Sequence, residues 1–122
     1  MYKELDPLKL FHVEQATLFK DGQAIFGEGE PGECMYVIKS GSVVLKHNNK
    51  PLETLQPGQI FGELALIDNE KRMASAQAKG DTELYCITEE RFHFMVRQHP
   101  YFSQYVMKVM ADRLRRLLKH TE

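Results

Sequence analysis

The sequence predicts a mainly β chain, an antiparallel sandwich or barrel followed by helices, and two observations predict it. Turn-forming pairs recur at close spacing through the middle of the chain: Asp21-Gly22, Pro31-Gly32, Ser40-Gly41, Asn48-Asn49, Pro57-Gly58 and Gly80-Asp81. That rhythm belongs to many short strands rather than to alternating strands and helices. From Thr88 onward the apolar residues recur every three to four positions, which marks entry into helix.

The elements follow in order. About fifteen residues precede ATLFKDGQAIF, enough for a turn or two of helix. Residues 35–38 and 42–46 read as two arms of a pair joined at Gly41, with Val43 and Leu45 pointing one way and Val44 and Lys46 the other. Residues 74–78 and then 83–87 complete the sheets. Thr88 is suited to cap a helix that carries Glu89 and Glu90 in its first turn. Phe92, Met95 and Val96 form its apolar stripe before Pro100 interrupts. A second helix is expected over residues 101–119, where Phe102, Val106, Val109 or Met110, Arg113 or Leu114, and Leu117 fall on one face.

Length and charge bound the function. A chain of 122 residues, 43% apolar with seven Phe and five Tyr, fits one domain, 1–122. The formal net charge of −1 does not suit a protein held to nucleic acid by neutralising phosphates. The basic cluster Arg113, Arg115, Arg116, Lys119 and His120 reads first as favourable charge at a helix C-terminus. Cys34 and Cys86 lie in strand-like runs as small buried hydrophobes, and two such thiols without a signal peptide predict a reduced, cytoplasmic setting. MYKELDPLKLFHVEQ is charged from its third residue and lacks the apolar stretch of a secretory signal. No run approaches the roughly 20 apolar residues of a membrane span.

The chemistry concentrates in FGELALIDNEKRMASA, residues 61–76, where Glu63 and Arg72 stand nine positions apart. The first amides of a helix lack partners within it, and peptide dipoles favour negative charge there. A planar guanidinium holds two phosphate oxygens at once, while a carboxylate accepts from a sugar hydroxyl. Together they describe a sugar phosphate site.

FGELALIDNEKRMASA resembles the phosphate-binding cassette of the cyclic nucleotide-binding domain family. GEGEPGECMYVIKSGSVVL, LQPGQIFGE and VMADRLRRLL resemble the strands before that cassette and the long helix after it. The resemblance implies a double-stranded β-helix (jelly-roll) sandwich over 16–87, containing the cassette at 61–76, and a helical lid and dimerisation segment over 88–120. It implies that Arg72 pairs with the cyclic phosphate, that Glu63 accepts the ribose 2′-hydroxyl, and that Gly62, Leu64, Ala65, Met73 and Ala74 line the rest. Leu52, Thr54, Leu114, Leu117 and Leu118 are the expected neighbours of the base. Met73 stands where a hydroxyl helps guanine recognition in some members, so cyclic AMP is favoured over cyclic GMP. The implied partners are the nucleotide, a second copy through the long helix, and an effector protein. No helix-turn-helix segment follows the long helix before Glu122, so direct DNA binding is not expected, and the short N-terminus departs from the family.

Other classes have less to stand on. His12, His47, His93, His99 and His120 are scattered, without the close pairs that a cupin-type metal site needs. No serine or cysteine has an adjacent base, and no nucleotide-binding glycine signature occurs. The expectation is therefore a receptor without metal or cofactor that is not an enzyme. The alternative is the same fold serving as an interaction module without nucleotide.

Overall fold

Two strands of fourteen residues carry the fold. The computed structural model describes residues 5–11 and 14–119; His12 and His120 lie outside them. Its elements are α1 (Pro7–Leu10), β1 (Ala16–Phe19), β2 (Ala24–Phe26), β3 (Cys34–His47), β4 (Lys50–Leu55), β5 (Ile60–Phe61), α2 (Leu64–Asp68), β6 (Ser75–Thr88), α3 (Glu89–Gln98) and α4 (Phe102–Lys119). All strand pairings are antiparallel: β1, β6, β3 and β4 lie side by side, β2 adds to β6 and β5 adds to β3.

The two arms expected on either side of Gly41 are one strand, and so are the two segments expected at 74–78 and 83–87. The reason is that β3 and β6 pair with each other along their whole length. The turn signals at Gly41 and Gly80 become irregularities in a shared ladder, with register shifts between Ile38 and Ser42. Gly41 has φ +83, and a Cβ there would come within 2.4 Å of Thr82 Oγ1. Only glycine meets both conditions. The Asn48-Asn49 pair does make a hairpin, with φ of 51 and 65, joining β3 to β4 as a turn of that hand requires.

The bent sheet has apolar side chains on both faces. Met35, Val37, Tyr85 and Ile87 pack against Phe11, Phe92, Met95, Phe102 and Val106, so this face takes the helices. Ile38, Val43, Leu45, Leu55, Phe61, Ala76 and Leu84 form the second cluster, inside the roll. Ile38 and Val43 share that cluster despite an odd separation, because the irregularity at Gly41 reverses the alternation. Phe102 meets Phe11 and Phe92 edge-on at 5.9 and 5.6 Å and anchors α4 at its first residue.

Thr88 caps α3, accepting from the Arg91 amide at 3.2 Å. Val96 is exposed rather than part of the buried stripe, which consists of Phe92 and Met95. Along α4 only Phe102 and Val106 are fully buried, and beyond them Met107, Leu114 and Leu118 are each more than half exposed. Among the described residues no helix is long and apolar enough to cross a membrane.

Replacing Phe102 with alanine is expected to destabilise the domain by about 3–5 kcal/mol, while Val96→Ala stays within about 0.5 kcal/mol. Urea unfolding followed by circular dichroism measures both.

Candidate functional site

The segment after β5 turns sharply at Gly62 and enters α2, while Arg72 returns from the loop beyond Asn69, whose left-handed φ of 60 ends the helix. Gly62 has φ +81, and a Cβ there would lie 2.7 Å from Arg72 Nη1. Gly32 is small for a related reason: a Cβ on it would meet Ala65 Cβ at 2.1 Å and the Arg72 guanidinium at 3.0 Å. Two glycines thus vacate the space that the arginine fills.

Arg72 is 7% exposed. Its Nη1 donates to Gly62 O at 2.7 Å and its Nη2 to Cys34 O at 2.5 Å. The guanidinium lies 4.1 Å from the centre of the Phe26 ring, within the range of a cation–π contact. Nε has no hydrogen-bond partner among the described residues, and none of the ion pairs found among them includes Arg72. A buried cation held only by neutral carbonyls is electrostatically incomplete.

Glu63 is 1% exposed. Its Oε1 accepts from Arg113 Nη1 at 3.0 Å, and Arg113 also donates to Ile60 O at 2.8 Å and stands 3.3 Å from Glu53 Oε2. Arg116 adds a second contact to Glu53, at 2.5 Å. Burial pushes the Glu63 carboxyl above the ordinary carboxylate range, against the opposing pull of Arg113 and then Arg72. In α2 the first backbone donors are Leu66 and Ile67, both to Glu63 O, so the helix leaves the Leu64 and Ala65 amides unused.

These groups border a cavity of about 780 Å³, roomy enough for a nucleotide-sized ligand. Gly62, Glu63, Leu64, Ala65, Arg72, Met73 and Ala74 all line it, as do Leu52 and Leu117. Thr54, Leu114 and Leu118 do not; Thr54 is exposed, and Leu114 and Leu118 sit on the outer side of α4. Met73 is 68% exposed at the cavity edge and does not plug it.

Sequence reasoning missed Arg113, which reads as a helix-end charge yet turns inward to Glu63. The available signal was an arginine on the apolar stripe of its helix. It also missed Glu53 and Phe26, whose roles arise only when β2 and β4 are brought to the cassette. Cys86 is exposed, not a buried hydrophobe.

A family model described as "Cyclic nucleotide-binding domain" matches residues 16–99. The cyclic AMP receptor protein of Thermus thermophilus is 35% identical over 106 residues, covering 83% of this chain and 49% of that protein. The chain therefore spans about half the length of this relative. Among solved structures, the Thermus thermophilus catabolite activator protein superposes with a TM-score of 0.79 at 34% identity, covering 88% of this chain and 54% of the other. An EAL enzyme in its cAMP-bound form superposes with a TM-score of 0.66 at 37% identity, covering 88% and 30%. The mostly antiparallel roll with C-terminal helices is thus the jelly-roll fold shared with the catabolite activator.

Arg113→Gln removes the nearest charge that favours ionised Glu63, so the carboxyl is expected to titrate at still higher pH in the variant. Carbon-13 NMR of the Glu63 carboxyl measures it, and an unchanged midpoint contradicts the pairing. Because burial raises the folded pKa, the Glu63 contribution to stability is fully present below the ordinary glutamate pKa and is lost as pH rises through the folded value.

Proposed function

Because the chain belongs to the cyclic nucleotide-binding domain family, we propose that it is a cytoplasmic receptor for cyclic AMP, with cyclic GMP as the weaker ligand. The observation that carries this reading is Arg72, a buried cation whose hydrogen bonds go to neutral carbonyls and whose Nε has no partner among the described residues, on the wall of a nucleotide-sized cavity. A cyclic phosphate supplies the missing anion. Leu64 and Ala65, whose amides the helix leaves unused, line the same cavity, and Glu63 retains lone pairs beyond the one that Arg113 uses, enough to accept a ribose hydroxyl. Leu52 and Leu117 offer apolar surface for the base, and Met73 offers no hydroxyl for guanine. The reaction class is binding without catalysis, so occupancy acts by favouring one conformation over another.

The receptor works through a partner, and a second copy of the chain fits the exposed side of α4. Met107, Ala111, Leu114 and Leu118 follow one another at steps of four, three and four, the spacing of a two-helix seam. Three of the four are more than half exposed. An effector protein completes the reading.

Isothermal calorimetry with cyclic AMP tests the site. Arg72→Ala is expected to weaken binding by about 2–5 kcal/mol, and Glu63→Gln by about 1–3 kcal/mol, since its ligand partner is neutral. Equal affinity in wild type and Arg72→Ala would overturn the proposal. Sedimentation velocity tests the seam: the wild type is expected to sediment as a dimer and Leu114→Glu as a monomer.

A further inference from the structure

Beside Arg72 lies a second reactive group that nucleotide binding leaves unused. In the register of β3 and β6, Tyr36 faces Cys86 and Cys34 faces Thr88, so the two cysteines are diagonal neighbours on one face of the sheet. Their sulfurs are 3.0 Å apart, with the Cys86 thiol donating to Cys34. Cys86 is exposed and Cys34 half-buried, so both are within reach of a small solute. The hydrogen bond from Cys86, ahead of one from Tyr36 and the Arg72 charge, lowers the Cys34 thiol to about 6, although burial opposes it. The same contact pushes Cys86 up. Cys34 is then the nucleophile and Cys86 the protonated partner.

The backbone of the same residue grips the arginine: Cys34 O accepts Arg72 Nη2 at 2.5 Å. Tyr36, beside the cysteines, stacks on Phe61 at 5.2 Å and lies 6.1 Å from Phe26, the ring under the guanidinium. Thiol chemistry at this position is thus mechanically next to the cation.

We infer that Cys34 and Cys86 are a hydroperoxide-responsive dithiol, an oxidation site whose closure to a disulfide loosens the hold on Arg72. The Cys34 thiolate attacks one oxygen of the hydroperoxide; the O–O bond breaks, the alcohol (or water) leaves after taking a proton from solvent, and Cys34 becomes a sulfenic acid. Cys86 sulfur then attacks the Cys34 sulfur. The S–O bond breaks, the hydroxyl leaves as water with the Cys86 proton, and the S–S bond forms. Two thiols have lost two electrons and two hydrogens to one hydroperoxide. The sulfurs must close from 3.0 Å to about 2.05 Å. Cys34 is the first residue of its strand, so its carbonyl shifts with the sulfur and Arg72 loses alignment.

The effect on nucleotide affinity rests on the receptor reading; the dithiol does not. The experiment titrates the reduced full chain with hydrogen peroxide, then counts alkylatable thiols and weighs the intact protein. The expected result is loss of two hydrogens within one chain, disappearance of both thiols together, and recovery with dithiothreitol. Cys86→Ser is expected to stop at a Cys34 sulfenic acid trapped by dimedone. Thiols that stay reduced, or that link only between chains, would overturn the assignment. On the same samples, nitrogen-15 NMR follows the Arg72 Nε–H, which is expected to shift on oxidation, and an unmoved resonance would sink the coupling. Calorimetry with cyclic AMP is expected to show binding weaker by about tenfold in the oxidised form and unchanged by peroxide in Cys86→Ser. If neither form binds while the disulfide forms and the resonance moves, the dithiol and its coupling stand and the receptor reading falls.

Discussion

The site depends on one buried guanidinium. Arg72 is removed from water and given two carbonyls, Gly62 O and Cys34 O, and the face of Phe26. Those groups orient the cation without an ion pair among the described residues, and a buried charge lacking a close partner costs several kcal/mol. Gly62 and Gly32 exist as glycines because any side chain there would occupy the guanidinium's space. The long β3–β6 ladder brings Cys34 to the arginine, and β5 brings Gly62. In the proposed reading, an acceptor of opposite charge in the adjoining cavity would convert this cost into affinity.

Glu63 is arranged on the opposite principle. It has a full counter-charge in Arg113, reached across the fold from α4, and a wider network through Glu53 and Arg116. Burial and pairing pull its titration in opposing directions, and burial is the stronger. The two candidate side chains therefore differ in kind: Arg72 has no ion pair among the described residues, whereas Glu63 is paired with Arg113 and retains hydrogen-bonding capacity. That division suits a ligand with an ionic end and a neutral hydroxyl.

Much of this was legible in the sequence because it is local. Residues 61–76 contain the turn, α2 and both Glu63 and Arg72, so the residues lining one wall of the cavity could be named from one contiguous stretch and the family it resembles. Thr88, Pro100 and the Asn48-Asn49 hairpin were legible for the same reason. What escaped was set by distant pairing. Gly41 and Gly80 look like turns from their neighbours alone, and only the shared register of β3 and β6 makes them irregularities in continuous strands. Arg113 looks like helix-end charge until α4 is laid over β4 and the cassette. Leu114 and Leu118 were expected inside with Leu117, but the rotation of α4 fixed by Phe102 and Val106 turns them outward.

That rotation joins the two halves of the proposed mechanism. Arg113 and Leu114 are consecutive, about 100° apart around the helix, so one points to Glu63 and the other outward, to the proposed seam. The N-terminal turn of α4 is fixed by aromatic packing on the sheet, whereas its later turns are held by charged contacts to Glu63 and Glu53. Apolar packing is insensitive to a polar ligand, but an ion pair beside the cavity is not. A nucleotide that engaged Glu63 would change the field that Arg113 meets, and a shift of Arg113 would rotate or tilt the segment that carries Leu114 and Leu118. The proposed seam and the proposed ligand would thus act on the same two turns of one helix, and by linkage each would bias the other to the same extent.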